Sequence, residues 1–165
     1  MIRLCEKTDE ERIYQIINDS AQAYGGVIPE DRYKEPYMSR HELAQEMEDG
    51  VIFWGFEDGG QLCGIMGIQD KNEVALIRHA YVQTISRQAG IGTKLLNHIR
   101  QLTDKPILIG TWESAAWAIS FYVKNGFTLV NRDEKRSLLH KYWNVPERQV
   151  ETSVVLCDNR FHRGK

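Results

Sequence analysis

The run Val82-Gln83-Thr84-Ile85-Ser86-Arg87-Gln88-Ala89-Gly90-Ile91-Gly92 joins a strand-like segment to a helical pattern through a turn carrying one arginine and two glycines. Residues of these types at this spacing can bind an anion. Successive backbone N–H groups of the turn, the unpaired amides of the first helical turn and the positive end of the helix dipole converge where a pyrophosphate fits. The glycines let a ligand approach the backbone, and Arg87 adds charge. Residue identity excludes two common phosphate motifs. A dinucleotide fingerprint needs a third glycine where Leu95 stands, and a P-loop needs Lys followed by Ser or Thr, whereas Thr93 precedes Lys94. Metal chemistry finds no pattern either: Cys5, Cys63 and Cys157 are too far apart for the close pairs of a zinc site, and their odd number suits no disulfide framework. Buried spectator thiols are expected.

The elements that must position this turn read from periodicity. A short strand at Ile2 to Cys5 precedes a helix whose capping box is expected at Thr8 and Glu11, with Ile13, Ile16, Ile17, Ala21 and Tyr24 on one face and a stop at Gly25-Gly26. Val27 to Met38 has no periodicity and reads as a loop, after which Ser39 and Glu42 open a second helix. Val51 to Phe56, Leu62 to Gln69 and Val74 to Val82 form an antiparallel meander with turns at Asp58-Gly59-Gly60-Gln61 and at Asp70 to Glu73. Past Gly92, Leu95, Leu96, Ile99 and Leu102 mark a helix, and Ile107 to Gly110 a strand; strand, crossover helix and strand make parallel neighbours. A helix from Ser114, as its cap, to Asn125, a strand at Phe127 to Val130, a helix at Asp133 to Trp143 and a last strand at Gln149 to Cys157 complete the chain. The expected fold is α/β (α+β), with a mixed sheet of about six to seven strands and about four helices.

Composition sets the outer bounds. The 165 residues predict one domain spanning 1–165, with 159–165 as a tail. A hydrophobic fraction of 42% and a net charge of −2 fit a globular protein and offer no basic stripe for nucleic acid. No apolar run reaches a membrane span, and Met1 to Arg12 carries seven charges where a signal peptide would be apolar, so a cytoplasmic location is expected.

Arg87-x-x-Gly90-x-Gly92, with the later block Ala118-Ile119-Ser120-Phe121-Tyr122-Val123-Lys124-Asn125-Gly126-Phe127, resembles the GCN5-related N-acetyltransferase (GNAT) family. The likeness extends in element order over most of the chain. It implies a GNAT-type single domain that uses acetyl-CoA and no metal. By the resemblance, Arg87, Gln88, Ala89, Gly90, Ile91, Gly92 and Thr93 hold the pyrophosphate, Tyr81 and Val82 meet pantetheine on a strand splayed from its parallel neighbour, and Lys124 adds a cofactor contact. Gln88 stands where the family often has glycine and Ala115 where it usually has asparagine, and both departures bear on cofactor affinity.

The resemblance also makes Tyr122 the general acid, since a phenol near pKa 10 can protonate a departing thiolate near 8.5. From periodicity alone, Phe121, Tyr122 and Phe127 equally make aromatic core. Two candidates stand for the base that must take a proton from the attacking amine. Glu113 follows the strand Ile107 to Gly110 at its carboxyl end, and reads also as a first-turn acid of the next helix. His79 lies on the central strand with a side chain that titrates near neutrality, and reads also as a satisfied core or surface histidine. Asp70 and Glu73 read as turn residues. By the resemblance, the loop holding Tyr24, Asp31, Arg32, Tyr33, Glu35 and Tyr37 is the expected wall of the acceptor site, its aromatics and carboxylates suited to a cationic amine; Tyr24, Tyr33 and Tyr37 equally close a small core under the loop. Trp112, Trp117, Trp143 and Asn144 are expected in the same cleft. The function so read is acetyl transfer to an amine of a small molecule or peptide, by direct attack because neither motif block holds a cysteine. A non-catalytic acyl-CoA-binding sensor of the same fold is the alternative. The β-branched final strand, Val150 to Leu156, suggests an edge for a homodimer.

Overall fold

Period-two alternation and the glycine turn at Gly59-Gly60 close 51–82 into a meander, and the computed structural model, which describes residues 1–83 and 90–161, sets this meander in a seven-stranded sheet. The strands are β1 (Ile2–Leu4), β2 (Val51–Asp58), β3 (Gln61–Asp70), β4 (Ala75–Val82), β5 (Ile107–Trp112), β6 (Thr128–Leu129) and β7 (Ser153–Cys157), in the order β1-β2-β3-β4-β5-β7-β6. Every neighbour pair is antiparallel except β4 with β5. The mixed sheet with a parallel central pair is therefore as expected.

Helices cover both faces. On one side α3 (Ile91–Gln101) and α4 (Ala116–Lys124) pack on the sheet, and Leu95, Leu96 and Ile99 meet Met66, Ile77, Ile107 and Ile109. Each such side chain, fully buried, contributes about 1.5–3 kcal/mol. On the other side α1 (Glu10–Ala21) and α2 (Arg40–Glu48) bring Ile13, Ile16, Ile17 and Leu43 onto Val51, Phe53 and Ile65. Leu76 and Leu108 alternate with Ile77 and Ile109, so they face away from α3 and pack with Leu138 and Leu139 of α5 (Arg132–Tyr142) and Val150 of α6 (Glu147–Glu151).

Four local expectations are corrected. Thr8 does not cap: it lies in a short 3-10 turn, Lys7–Asp9, and the Asp9 carboxylate accepts the Glu6 N–H at 2.7 Å while also holding the Arg3 guanidinium at 2.8 and 2.9 Å. Ser114 does not cap either, because the helix starts one turn position later with the buried Ala115 as its flanking residue. The last strand begins at Ser153 and not at Gln149, because Pro146, with its fixed φ, starts α6 and Thr152 Oγ1 donates back to the Arg148 carbonyl at 2.9 Å. Finally, Val150 to Leu156 is not one continuous edge strand. Val150 is helical, and β7 has β5 along one side and β6 on the other at Leu156 and Cys157. Ser39 and Glu42 do form their capping box, at 3.1 and 3.2 Å.

Two irregularities of β4 shape the surfaces on either side of it. Its pairing with β5 is confined to three rows, Ala75 with Ile107 through Ile77 with Ile109, after which the strands continue to Val82 and Trp112 without further rows. The sheet is thus split at its middle. Against β3, Gly67 pairs with Arg78 and Ile65 with Tyr81, so His79 and Ala80 together oppose Met66 alone. This bulge reverses the alternation of side chains beyond it. Ala80 and Val82 turn toward the α3 side, whereas His79 and Tyr81 turn toward α1 and α2.

Candidate active site

The split between β4 and β5 opens a cavity of about 530 Å³, walled by Ala80 and Val82 of β4, Gly90, Gly92 and Thr93 at the start of α3, and Phe121 and Tyr122 of α4. Gly90 flanks the helix at φ +70°, a conformation that glycine adopts without strain. The first bond of that helix runs from Lys94 N–H to the Gly90 carbonyl at 3.2 Å. The amides of Ile91, Gly92 and Thr93 precede it and have no carbonyl within the helix to bond. Gly92 serves packing as well, since a Cβ there would stand 3.2 Å from the Phe121 ring.

On the opposite face lies a second cavity of about 140 Å³, lined by Tyr37, His79, Trp112, Trp143 and Arg78, with Gly110 as part of its floor. Gly110 seats the Trp143 indole, whose atoms lie 3.2 Å from where a Cβ would be. Tyr24 and Tyr81 belong to both cavities and form the partition between them, their hydroxyls 3.5 Å apart. Around that partition Tyr24 stacks on Trp117 at 5.9 Å and tilts against Tyr37 at 5.2 Å, and Trp112 Nε1 donates to the Tyr37 hydroxyl at 2.9 Å. An elongated cleft on one face therefore meets a small aromatic chamber on the other at one tyrosine pair.

Residues 10–139 match the family described as the acetyltransferase (GNAT) domain. The chain belongs to this family. No curated protein sequence gives a match. Among solved structures, a GNAT-family acetyltransferase from Staphylococcus aureus superposes with a TM-score of 0.71 at 16% identity, covering 96% of this chain and 97% of that one. The PaiA N-acetyltransferase of Thermoplasma acidophilum, solved with coenzyme A, gives 0.71 at 17% identity with the same coverage. A ribosomal-protein-S18-alanine N-acetyltransferase from Escherichia coli gives 0.66 at 17% identity, over 96% of this chain and 92% of that one. At these identities the likeness is one of fold.

In this GNAT chain the residues expected at the cofactor divide clearly. Tyr81, Val82, Gly90, Gly92, Thr93 and Lys124 all line the larger cavity. Ile91 does not, because its side chain is buried in the core beneath α3. Arg87, Gln88 and Ala89 lie outside the described residues. Of the acceptor candidates, Tyr24 and Tyr37 line the smaller chamber, whereas Tyr33 donates to Glu35 at 2.9 Å and that pair lines neither cavity. Trp112 and Trp143 line the chamber and Trp117 the larger cavity; Asn144 lines neither. Among the described residues no cluster of three His, Cys, Asp or Glu could hold a metal, and no helix is long and apolar enough to cross a membrane.

Titratable groups show why the two cavities differ chemically. Burial, followed by the nearby Tyr24, pushes the Tyr122 phenol well above its ordinary value, so it keeps its proton at neutral pH. Tyr81 and Tyr37 are raised as well, chiefly by burial. Glu113 is exposed just past β5, donates its N–H to the Thr152 carbonyl at 2.9 Å and lines neither cavity. The structure does not bring it to Tyr122. His79 does reach the chamber, and its backbone is held at φ +56° in the bulge, a strain of about 1–3 kcal/mol for a residue with a Cβ. Its ring lies against Glu46 of α2, with Nε2 at 2.7 and 2.9 Å from the two carboxylate oxygens. Burial alone would raise the Glu46 carboxyl, but the His79 hydrogen bond and the charges of His79 and Arg78 bring it below its ordinary value. Glu46 and Arg78 escaped the sequence reading. Nothing separates Glu46 from the other acids of its helix until the bulge turns His79 toward it.

Proposed function

We propose that this GNAT chain transfers an acetyl group from acetyl-CoA to an amine of a small molecule or peptide by direct attack. The observation that carries the reading is the meeting of two unlike cavities at the Tyr24–Tyr81 partition, with Tyr122 on the wall of one and His79 on the wall of the other. The larger cleft suits coenzyme A: its mouth carries the helix amides of Gly92 and Thr93 and the Lys124 ammonium for a pyrophosphate, and the splayed β4 backbone at Tyr81 and Val82 suits pantetheine. The bound thioester supplies an activated acyl carbon and a thiolate leaving group.

The chain's own residues divide the remaining work. Aromatic faces of Tyr24, Tyr37, Tyr81 and Trp143 receive the amine, which sheds its ammonium proton to solvent on entry so that a neutral nitrogen attacks. His79 takes the proton that the amine must lose as it attacks, and Tyr122 Oη supplies one to the departing sulfur. Burial makes the phenol a weaker acid, yet the same burial makes a thiolate in that cleft a stronger base, so the gap between them decides the transfer. Neither step calls for an acyl-enzyme. Cys63 and Cys157 are buried away from both cavities, which supports direct attack.

The test is isothermal titration with acetyl-CoA, followed by thiol-release turnover on a panel of primary amines. Binding with amine-dependent thiol release is the expected result. Binding without turnover on any amine would refute catalysis and leave an acyl-CoA sensor, and no binding would refute the cofactor assignment.

A further inference from the structure

The Glu46 carboxylate does more at the bulge than neutralise a charge. Its Oε1 accepts Arg78 Nη2 at 2.7 Å and lies 2.9 Å from His79 Nε2, while its Oε2 lies 2.7 Å from the same nitrogen. Arg78 is itself fixed, for its Nη1 donates to Gln69 Oε1 at 3.1 Å and the Gln69 amide donates to the Asp49 carbonyl at 3.0 Å. The chain Asp49, Gln69, Arg78, Glu46 and His79 is thus ordered end to end. An ionised carboxylate can only accept, so the proton of a neutral His79 must sit on Nε2. Nδ1 then holds a lone pair and has no protein partner among the described residues, on a side chain that lines the acceptor chamber.

The groups facing the imidazole are few. They are Glu46, with Glu42 behind it on α2, Arg78 and Tyr81 of β4, Phe53 of β2 stacked at 6.2 Å, and the chamber's Tyr37. Among the described residues none besides Glu46 is placed on Nε2.

We propose that Glu46 is a positioning residue for catalysis, holding His79 in the Nε2–H form so that Nδ1 is the atom that accepts the amine proton. This rests on the acetyl transfer proposed above. In that reaction the nitrogen–acyl bond forms as the carbon–sulfur bond breaks, the proton lost by nitrogen goes to His79 Nδ1, and sulfur receives the Tyr122 proton. Proton exchange with solvent then restores both residues. The roles obey the general rule that a buried carboxylate fixes the tautomer of the histidine it touches.

Glu46→Gln gives a sharp test because Arg78 dictates how the amide must lie. The Arg78 donor keeps the amide oxygen at the position of Oε1, 2.9 Å from His79 Nε2, and puts the amide NH₂ at the position of Oε2, 2.7 Å from the same nitrogen, so the nearer group on Nε2 becomes a donor and favours the proton on Nδ1. Nitrogen-15 chemical shifts of the His79 ring are expected to report Nε2–H in the native protein and Nδ1–H in the variant. Turnover should fall roughly 10²- to 10⁴-fold with the KM for acetyl-CoA unchanged. Adding Arg78→Met frees the amide to rotate, so the double variant should recover at least 10-fold of that loss. A native ring in the Nδ1–H form would overturn the proposal without any variant. So would a Glu46→Gln protein whose activity falls while its tautomer stays Nε2–H, since the role would then be structural. If the native protein acetylates no amine, the function fails, whereas the tautomer result still decides whether Glu46 sets the ring.

Discussion

Replacing Gly67 with alanine should damage both stability and turnover, because of what stands opposite it. A Cβ at Gly67 would lie 2.7 Å from the Arg78 carbonyl oxygen, 2.8 Å from Val51 Cγ1 and 3.2 Å from Phe53 Cε1. The first contact is about 0.7 Å short of ordinary separation and involves backbone, which no rotamer change relieves. Val51 and Phe53 are buried against α1 and α2, so they cannot yield without opening a void. Overpacking of this kind costs about 2–3 kcal/mol, and for a domain of this size that lowers the melting temperature by roughly 4–12 °C. The relief available is a shift of the bulge itself, which would displace His79 from the chamber wall and reduce kcat/KM roughly 10- to 100-fold. Scanning calorimetry and amine-dependent thiol release measure the two effects. Gly59→Ala is the control: its φ of +60° is strained for alanine, but open space surrounds it, so about 1 kcal/mol and no change in turnover are expected. A Gly67→Ala protein that melted within 1 °C of the native one with unaltered kcat/KM would refute the packing argument.

The same geometry sets three other expectations. Tyr122→Phe should lower kcat by roughly 10²-fold or more while leaving acetyl-CoA affinity within a few fold, measured by titration calorimetry beside turnover; equal turnover from pH 6 to 9 would rule out the phenol as acid. Because the Glu46 carboxyl is held below its ordinary value, its contribution to stability is complete above the usual carboxylate range and is lost as pH falls through the folded-state value. The difference in melting temperature between native protein and Glu46→Gln should therefore be largest near pH 7 and shrink toward pH 3. Burial pushes the Cys5 thiol up to about 12, and Cys63 and Cys157 are buried, so the native protein should react slowly with an aromatic disulfide at pH 8 and quickly once unfolded.

Much of the architecture was legible because it is written locally. The meander shows in its alternation and glycine turns, α3 in the spacing of Leu95, Leu96 and Ile99, and family membership in the two motif blocks. What sequence did not show depends on neighbours distant along the chain. The bulge places a positive φ on His79, where no glycine or asparagine announces it. Without the bulge, simple alternation would have turned Tyr81 to the α3 side and Val82 to the other. β7 carries the continuous apolar run Val154 to Cys157, which suits a strand covered on both faces better than an edge, and that signal was available. At the start of that segment Val150 is a β-branched residue, yet Pro146 places Glu147–Glu151 in a helical turn.

The tyrosine partition has a consequence for binding equilibria. Two cavities that share Tyr24 and Tyr81 also share the rotamers of those side chains, so a guest on one side restricts the wall that a guest on the other must meet. A guest that shifts those rotamers changes the dissociation constant of a guest on the other side, and by the same factor in both directions.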